Sequence, residues 1–147
     1  MAVFFGVAIF FIVLDRFLKS LALKFSDGEL EILSDWIKFT LVKNYNIALS
    51  LPLHGILVMF LVIALTMLVI YYFVLFIKKE DVIGAFCMLL IALGAISNLV
   101  DRVLYGFVID YFDIKFFSVL NLADIMITTG VLIFIIFSLY INKKESY

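Results

Sequence analysis

Four long apolar runs, separated by short polar breaks, set the plan of this chain. Ala2 to Leu14 is unbroken apolar sequence that resumes after Asp15, Arg16 and Lys19 as far as Leu23, and Gly55 to Ile77 holds no charged residue. Val82 stays apolar to about Val100, and Ile125 to Ile141 completes the series. A helix rises 1.5 Å per residue, so about 20 apolar residues cross the hydrocarbon of a bilayer. The pattern predicts an all-α membrane protein of four transmembrane helices, with spans at about 2–23, 55–77, 82–102 and 123–141. The first run lacks a basic start, carries charges in its second half and precedes three further spans, which predicts a retained helix rather than a cleaved leader.

Between the first two spans the period changes. Ile37, Phe39 and Leu41 alternate with Trp36, Lys38 and Thr40, the pattern of a half-buried strand. Asn44-Tyr45-Asn46 predicts a turn, because Asn tolerates positive φ, and Ile47 to Leu51 predicts a return strand before Pro52. A small extracytoplasmic β hairpin or cradle at about 36–52, joined by 107–120, therefore sits on one integral membrane domain, 1–147. Lys78-Lys79 and Lys143-Lys144 fall on the same side of a four-span chain, which makes that side and both termini cytoplasmic. The hairpin and the loop holding Asp110 then face outward.

Composition sharpens this picture. The 147 residues are 67% hydrophobic, against roughly half in a soluble domain, and the net charge is −1. Neither a basic block nor an aromatic-basic alternation offers nucleic acid a partner surface. One His (His54) and one Cys (Cys87) fall short of a tetrahedral metal site, so no metal or other cofactor is expected; Cys87 reads as a packing residue.

The polar residues gather at the predicted outer end. Asp15 lies toward that end of the first span, Asn44 on the hairpin, and Asn98, Asp101 and Arg102 share one helix face at i, i+3 and i+4. Asp15 and Lys19 are spaced to pair, while Arg16 and Lys19 also fit snorkelling at a helix end. Arg102 can offer a carboxylate a fork of donors. Asn121-x-x-Asp124 has the outline of a capping box, a purely structural account of Asp124. Asp110, between Phe107-Val108-Ile109 and Tyr111-Phe112, has no such account. Two aspartates at a membrane surface could share one proton as an aspartic-protease dyad, with one carboxylate activating water and the other protonating the scissile carbonyl. Intramembrane carboxylates serve equally in proton relays, so a small proton-coupled transporter subunit stays open at this point.

Five blocks, in order, resemble the family of lipoprotein signal peptidases, or signal peptidase II. Asp15-Arg16-Phe17-Leu18-Lys19 is similar to the family's D-[QR]-x-x-K, and Asn44 to Ser50 to its N-x-G-x-A-F-S. Asn98-Leu99-Val100-Asp101-Arg102 resembles N-L-x-D-R, Val108-Ile109-Asp110-Tyr111 resembles V-x-D-[FY], and Asn121-Leu122-Ala123-Asp124 with Gly130 resembles F-N-x-A-D…G. The resemblance implies a catalytic pair, Asp110 and Asp124, supported by Asp15, Lys19, Asn44, Asn98, Arg102 and Asn121. It implies a bacterial enzyme of the cytoplasmic membrane, a monomer with its site at the outer face among membrane lipid. The implied substrate is a diacylglyceryl-modified prolipoprotein, cut on the amino side of the lipidated Cys. Asn46 and Ser97 replace glycines of the pattern, Leu49 and Leu120 replace phenylalanines, and the Tyr111 to Leu120 connection is short. These departures bear on substrate fit, and they are the motive for a third reading, a relative that binds precursors without cutting them.

Overall fold

Helix α1 (Ala2–Lys24) leads into strands β1 (Leu30–Leu33) and β2 (Ile37–Asn44), and then come helices α2 (Ile56–Lys78) and α3 (Val82–Tyr105). Strands β3 (Val108–Ile114) and β4 (Val119–Leu120) precede the last helix, α4 (Leu122–Glu145). The structure, a computed structural model, describes residues 1–25, 28–45 and 56–145. The predicted turn residue Asn46, the return strand Ile47 to Leu51 and His54 lie outside them.

Helix α3 is the spine, packing against α1, α2 and α4. Its start is set by Asp81, whose carboxylate accepts the Gly84 N–H at 2.9 Å, and its end by Gly106, left-handed at φ 80° with its N–H on the Arg102 carbonyl. Capping at both ends satisfies backbone groups that a helix terminus leaves unpaired. Gly94 and Gly130 bring α3 and α4 unusually close: a Cβ on Gly94 would lie 2.6 Å from the Ala123 carbonyl oxygen, and one on Gly130 would lie 2.8 Å from that of Cys87. Small residues at such crossings let helices approach in lipid, where burying apolar surface gives no drive. Ala8, Leu90 and Met126 form the core of the bundle, and Cys87 is buried beside it.

Among the described residues, three helical stretches are long and apolar enough to cross a membrane: Met59–Lys78, Val82–Tyr105 and Leu122–Ile141. Helix α1 has comparable length but carries Asp15, Arg16 and Lys19.

The sheet is antiparallel in the order β1-β2-β3-β4. The alternation in Ile37 to Leu41 does form a strand, and its partners among the described residues are β1, which the period did not reveal, and β3. Leu30 to Leu33 escapes a periodicity reading because all four residues are exposed. One sheet surface packs onto the helix ends through Ala22, Phe39, Ile109 and Tyr111. That contact fixes β3, and with it Asp110, over the ends of α1 and α4.

Candidate active site

The site is built on the first turn of α4, where four backbone N–H groups have no partner within the helix. Leu122 N–H donates to the Tyr111 hydroxyl at 3.0 Å, Ala123 N–H to Asp15 at 3.1 Å, and Asp124 N–H to the Asn121 side-chain oxygen at 2.9 Å. Ile125 N–H donates to the Asn121 carbonyl at 3.3 Å. Asp124 Oδ2 in turn accepts the Asn121 N–H at 3.3 Å, completing a reciprocal capping box. Its other oxygen, Oδ1, accepts Asn98 Nδ2 at 2.8 Å. One oxygen of Asp124 therefore caps the helix while the second faces α3.

Asp110 arrives from the sheet. It lies opposite Val42, so Asn44, two residues on, is its diagonal neighbour on the same face. Asn44 Nδ2 donates to Asp110 Oδ2 at 2.8 Å, and Asn121 Nδ2 donates to Oδ1 at 2.6 Å. Asn121 is thus bonded to both aspartates, by its amide to Asp110 and by the cap to Asp124. Its Nδ2 also donates to Asn98 Oδ1 at 3.2 Å, closing a ring of Asn121, Asn98 and Asp124, to which Asp110 is joined through Asn121.

Behind this ring lies a buried ionic layer. Lys19 donates to Asn98 Oδ1 at 2.8 Å, and its ammonium sits 2.7 Å from Asp101 and 3.2 Å from Asp15. Asp101 also pairs with Arg16 and accepts the Ile109 N–H at 3.3 Å, tying α1, α3 and β3 together. Asp15 takes hydrogen bonds from Ser97 and from the Tyr111 hydroxyl, the latter at 3.0 Å. Two carboxylates face two cations, and every buried side-chain polar atom among the described residues has a partner. Such pairing is what makes buried charge tolerable.

Electrostatics separates Asp110 from an ordinary surface carboxylate. Only 1% of the residue is exposed, and its pKa is pushed up to about 6 by that burial, with the Asp124 charge adding to the rise. The Asn44 and Asn121 hydrogen bonds and the Lys19 charge oppose it. Burial and the Asp15 carboxylate likewise raise Tyr111, so its hydroxyl stays protonated and donates. A carboxyl raised to about 6 gains and loses its proton close to neutral pH.

Of the residues singled out from sequence, Asp124, Asn98 and Asn121 form the ring, and Asp110 and Asn44 are attached to it through Asn121. Lys19 and Asp15, both fully buried, stand one layer behind it. Arg102 donates to the Asn98 carbonyl one turn back at 3.4 Å, and its charge acts on Asp124, Asp110 and Asp101. Snorkelling is overturned for Lys19, which has no exposed surface, and for Arg16, which turns inward to Asp101. Inward pairing wins because two buried carboxylates would otherwise be unneutralised. Sequence reasoning left Asp101 without a role and passed over Arg16, Ser97 and Tyr111 as site residues. A usable signal existed, since Asp15, Arg16 and Lys19 place two cations and one anion on an otherwise apolar helix.

Comparison with known proteins adds an independent line. The family model described as signal peptidase (SPase) II matches residues 7–140. The lipoprotein signal peptidase of Caldicellulosiruptor bescii is 37% identical over 122 residues, covering 82% of this chain and 80% of that protein. That of Pelodictyon phaeoclathratiforme is 31% identical over 161 residues, covering 99% and 95%. A solved bacterial membrane enzyme, determined by the in meso method at 2.3 Å resolution, superposes with a TM-score of 0.81 at 25% identity, covering 95% of this chain and 89% of that one.

Proposed function

Because the chain belongs to the signal peptidase II family, we propose that Asp110 and Asp124 are the aspartic dyad with which it removes signal peptides from lipoprotein precursors. The protein is a membrane-bound peptidase of lipoprotein processing. In the proposed reaction the ionised member of the pair takes a proton from a water between the carboxyls. The protonated member donates to the scissile carbonyl oxygen; as the tetrahedral adduct collapses, the proton taken from water passes to the leaving nitrogen and one adduct hydroxyl returns its proton to the pair, releasing the amine and the carboxylic acid. Neither aspartate is given a fixed role, since a coupled pair titrates as a unit. The substrate is a precursor whose Cys carries diacylglyceryl, cut on the amino side of that Cys, and the enzyme works as a monomer.

The observation that carries this reading is Asn121, hydrogen-bonded to Asp110 by its side chain and to Asp124 through the reciprocal cap. A frame that holds two carboxylates together, with one pushed up to about 6, suits sharing of a proton. Arg102, Asn44 and Asn98 would orient the pair, and Asp15 and Lys19 would hold it from behind.

Four spans rather than three are supported by the environment of the α1 charges. Asp15 and Lys19 are wholly buried, with Lys19 paired to both Asp15 and Asp101, so α1 meets lipid with its apolar faces. Both termini then lie on the cytoplasmic side with the Lys78-Lys79 turn, and the dyad at the outer face of the bacterial cytoplasmic membrane.

The test is cleavage of a lipidated precursor peptide by purified protein in detergent. Asp110→Asn and Asp124→Asn should each abolish turnover while leaving the helical content and elution profile of the wild type. Near-normal turnover in both variants would refute the dyad.

A further inference from the structure

The end of the sheet away from Asp110 carries a feature that the peptidase reading leaves unused. Ile37 pairs with Ile114 there, so the turn between β1 and β2 and the turn between β3 and β4 lie side by side. They are joined by a hydrogen bond from Lys115 N–H to the Trp36 carbonyl at 3.0 Å. Trp36 and Phe116 meet edge to face with ring centroids 6.3 Å apart, and the Lys115 ammonium stands 5.8 Å and 5.6 Å from the two centroids. The ridge is bare: Trp36 is 58% exposed, Phe116 88% and Phe117 77%. Phe116 also has φ 65°, a left-handed conformation that suits Gly or Asn and penalises a bulky side chain. A strained aromatic held in the open, beside the one Trp of the chain, has no explanation in packing.

We propose that this ridge is a membrane-interface anchor, with Trp36, Phe116 and Phe117 seated in the headgroup boundary of the leaflet beside the sheet and Lys115 reaching its phosphates. Trp and other amphipathic side chains concentrate at that depth, and Lys snorkels from it. The sheet is already held at the boundary by packing on the C-terminal end of α1, where the Phe25 ring contacts Phe39. Charge selects the kind of lipid. Asp35 lies 3.8 Å from Lys115, Lys38 and Asp113 share the same shallow hollow, and Lys38 is itself paired with Glu29 and near Glu31, so anions outnumber cations there. Such a ridge fits a zwitterionic headgroup, phosphate to Lys115 and amine to the carboxylates, without preference for an anionic surface.

A single Trp makes the test direct. The full chain is placed in phosphatidylcholine nanodiscs, in which both leaflets are open to solution, and Trp36 emission is read with lipids brominated near the top or near the end of the acyl chain. Blue-shifted emission, stronger quenching by the shallow bromines and weak quenching by iodide are expected, unchanged when anionic lipid is added. Phe116→Ser with Phe117→Ser should shift the emission to the red and raise iodide quenching several-fold, with cleavage of a detergent-presented precursor unaltered. Water-like emission in the wild type, open to iodide and insensitive to bromine at either depth, would overturn the proposal, whether the ridge faced water or awaited a protein partner.

Discussion

Replacing Asn44 with Ala tests whether the hydrogen-bond frame sets the acidity of the dyad. Asn44 Nδ2 donates to Asp110 at 2.8 Å, and this bond is the strongest influence opposing the burial that lifts Asp110 to about 6. A hydrogen bond to a charged group is worth about 1.5–3 kcal/mol. At about 1.4 kcal/mol per pH unit this corresponds to about one to two units, and water entering the vacated space recovers part of it. The sign follows from which form the bond favours. Asn44 stabilises the carboxylate, so its loss makes the proton harder to remove. The protonated dyad, which is the active form, then survives to higher pH. In kcat/KM, which reports the free enzyme, the alkaline limb should move from about 6 toward 7. Peak activity falls because Asp110 is less well held, yet the ratio of activity at pH 7.5 to that at pH 5.5 should rise, by up to about tenfold for one unit. Lys38→Ala on the same strand, which breaks only a surface pair with Glu29, should leave the limb in place. A limb that stayed still or moved to lower pH in Asn44→Ala would refute the reasoning that the Asn44 hydrogen bond sets the acidity of the pair.

Two further outcomes follow from the layers around the dyad. Asp101→Ala leaves Arg16 and Lys19 with Asp15 as the remaining carboxylate of the layer and should cost about 3–5 kcal/mol of stability, against within about 0.5 kcal/mol for Asp113→Ala at the surface; thermal unfolding in detergent measures both. Gly94→Ala puts a Cβ 2.6 Å from the Ala123 carbonyl, should cost about 1–3 kcal/mol by overpacking, and should depress kcat more than it raises KM because Ala123 adjoins Asp124. Gly6→Ala, with nothing within 4 Å of its Cβ, is the matched control.

What could be read from the sequence divides along a physical line. Runs and periods report the solvent each residue meets, so the long apolar helices and the strand at Ile37 to Asn44 were legible. They do not report which element lies beside which. Strand β1 escapes because an exposed edge has no buried face to alternate with, and the spacing that pairs Lys19 with Asp15 leaves snorkelling open because the second partner, Asp101, lies 82 residues away. The family resemblance supplied the aspartates and the asparagines bonded to them but not Tyr111 and Ser97, which act through a hydroxyl on Asp15 rather than on the dyad. Asp124 shows why local reasoning stalled there. Capping and chemistry were set against each other as rival accounts, yet a carboxylate has two oxygens. Oδ2 closes the capping box with Asn121, and Oδ1 takes the Asn98 amide. The cap is therefore part of the site: it pins the rotamer that keeps Oδ1 in the ring, and the same Asn121 that completes the cap reaches across to Asp110. A helix start that must be capped anyway supplies a fixed carboxylate, so the four residues Asn121 to Asp124 both begin α4 and provide one member of the proposed dyad and the amide that holds the other.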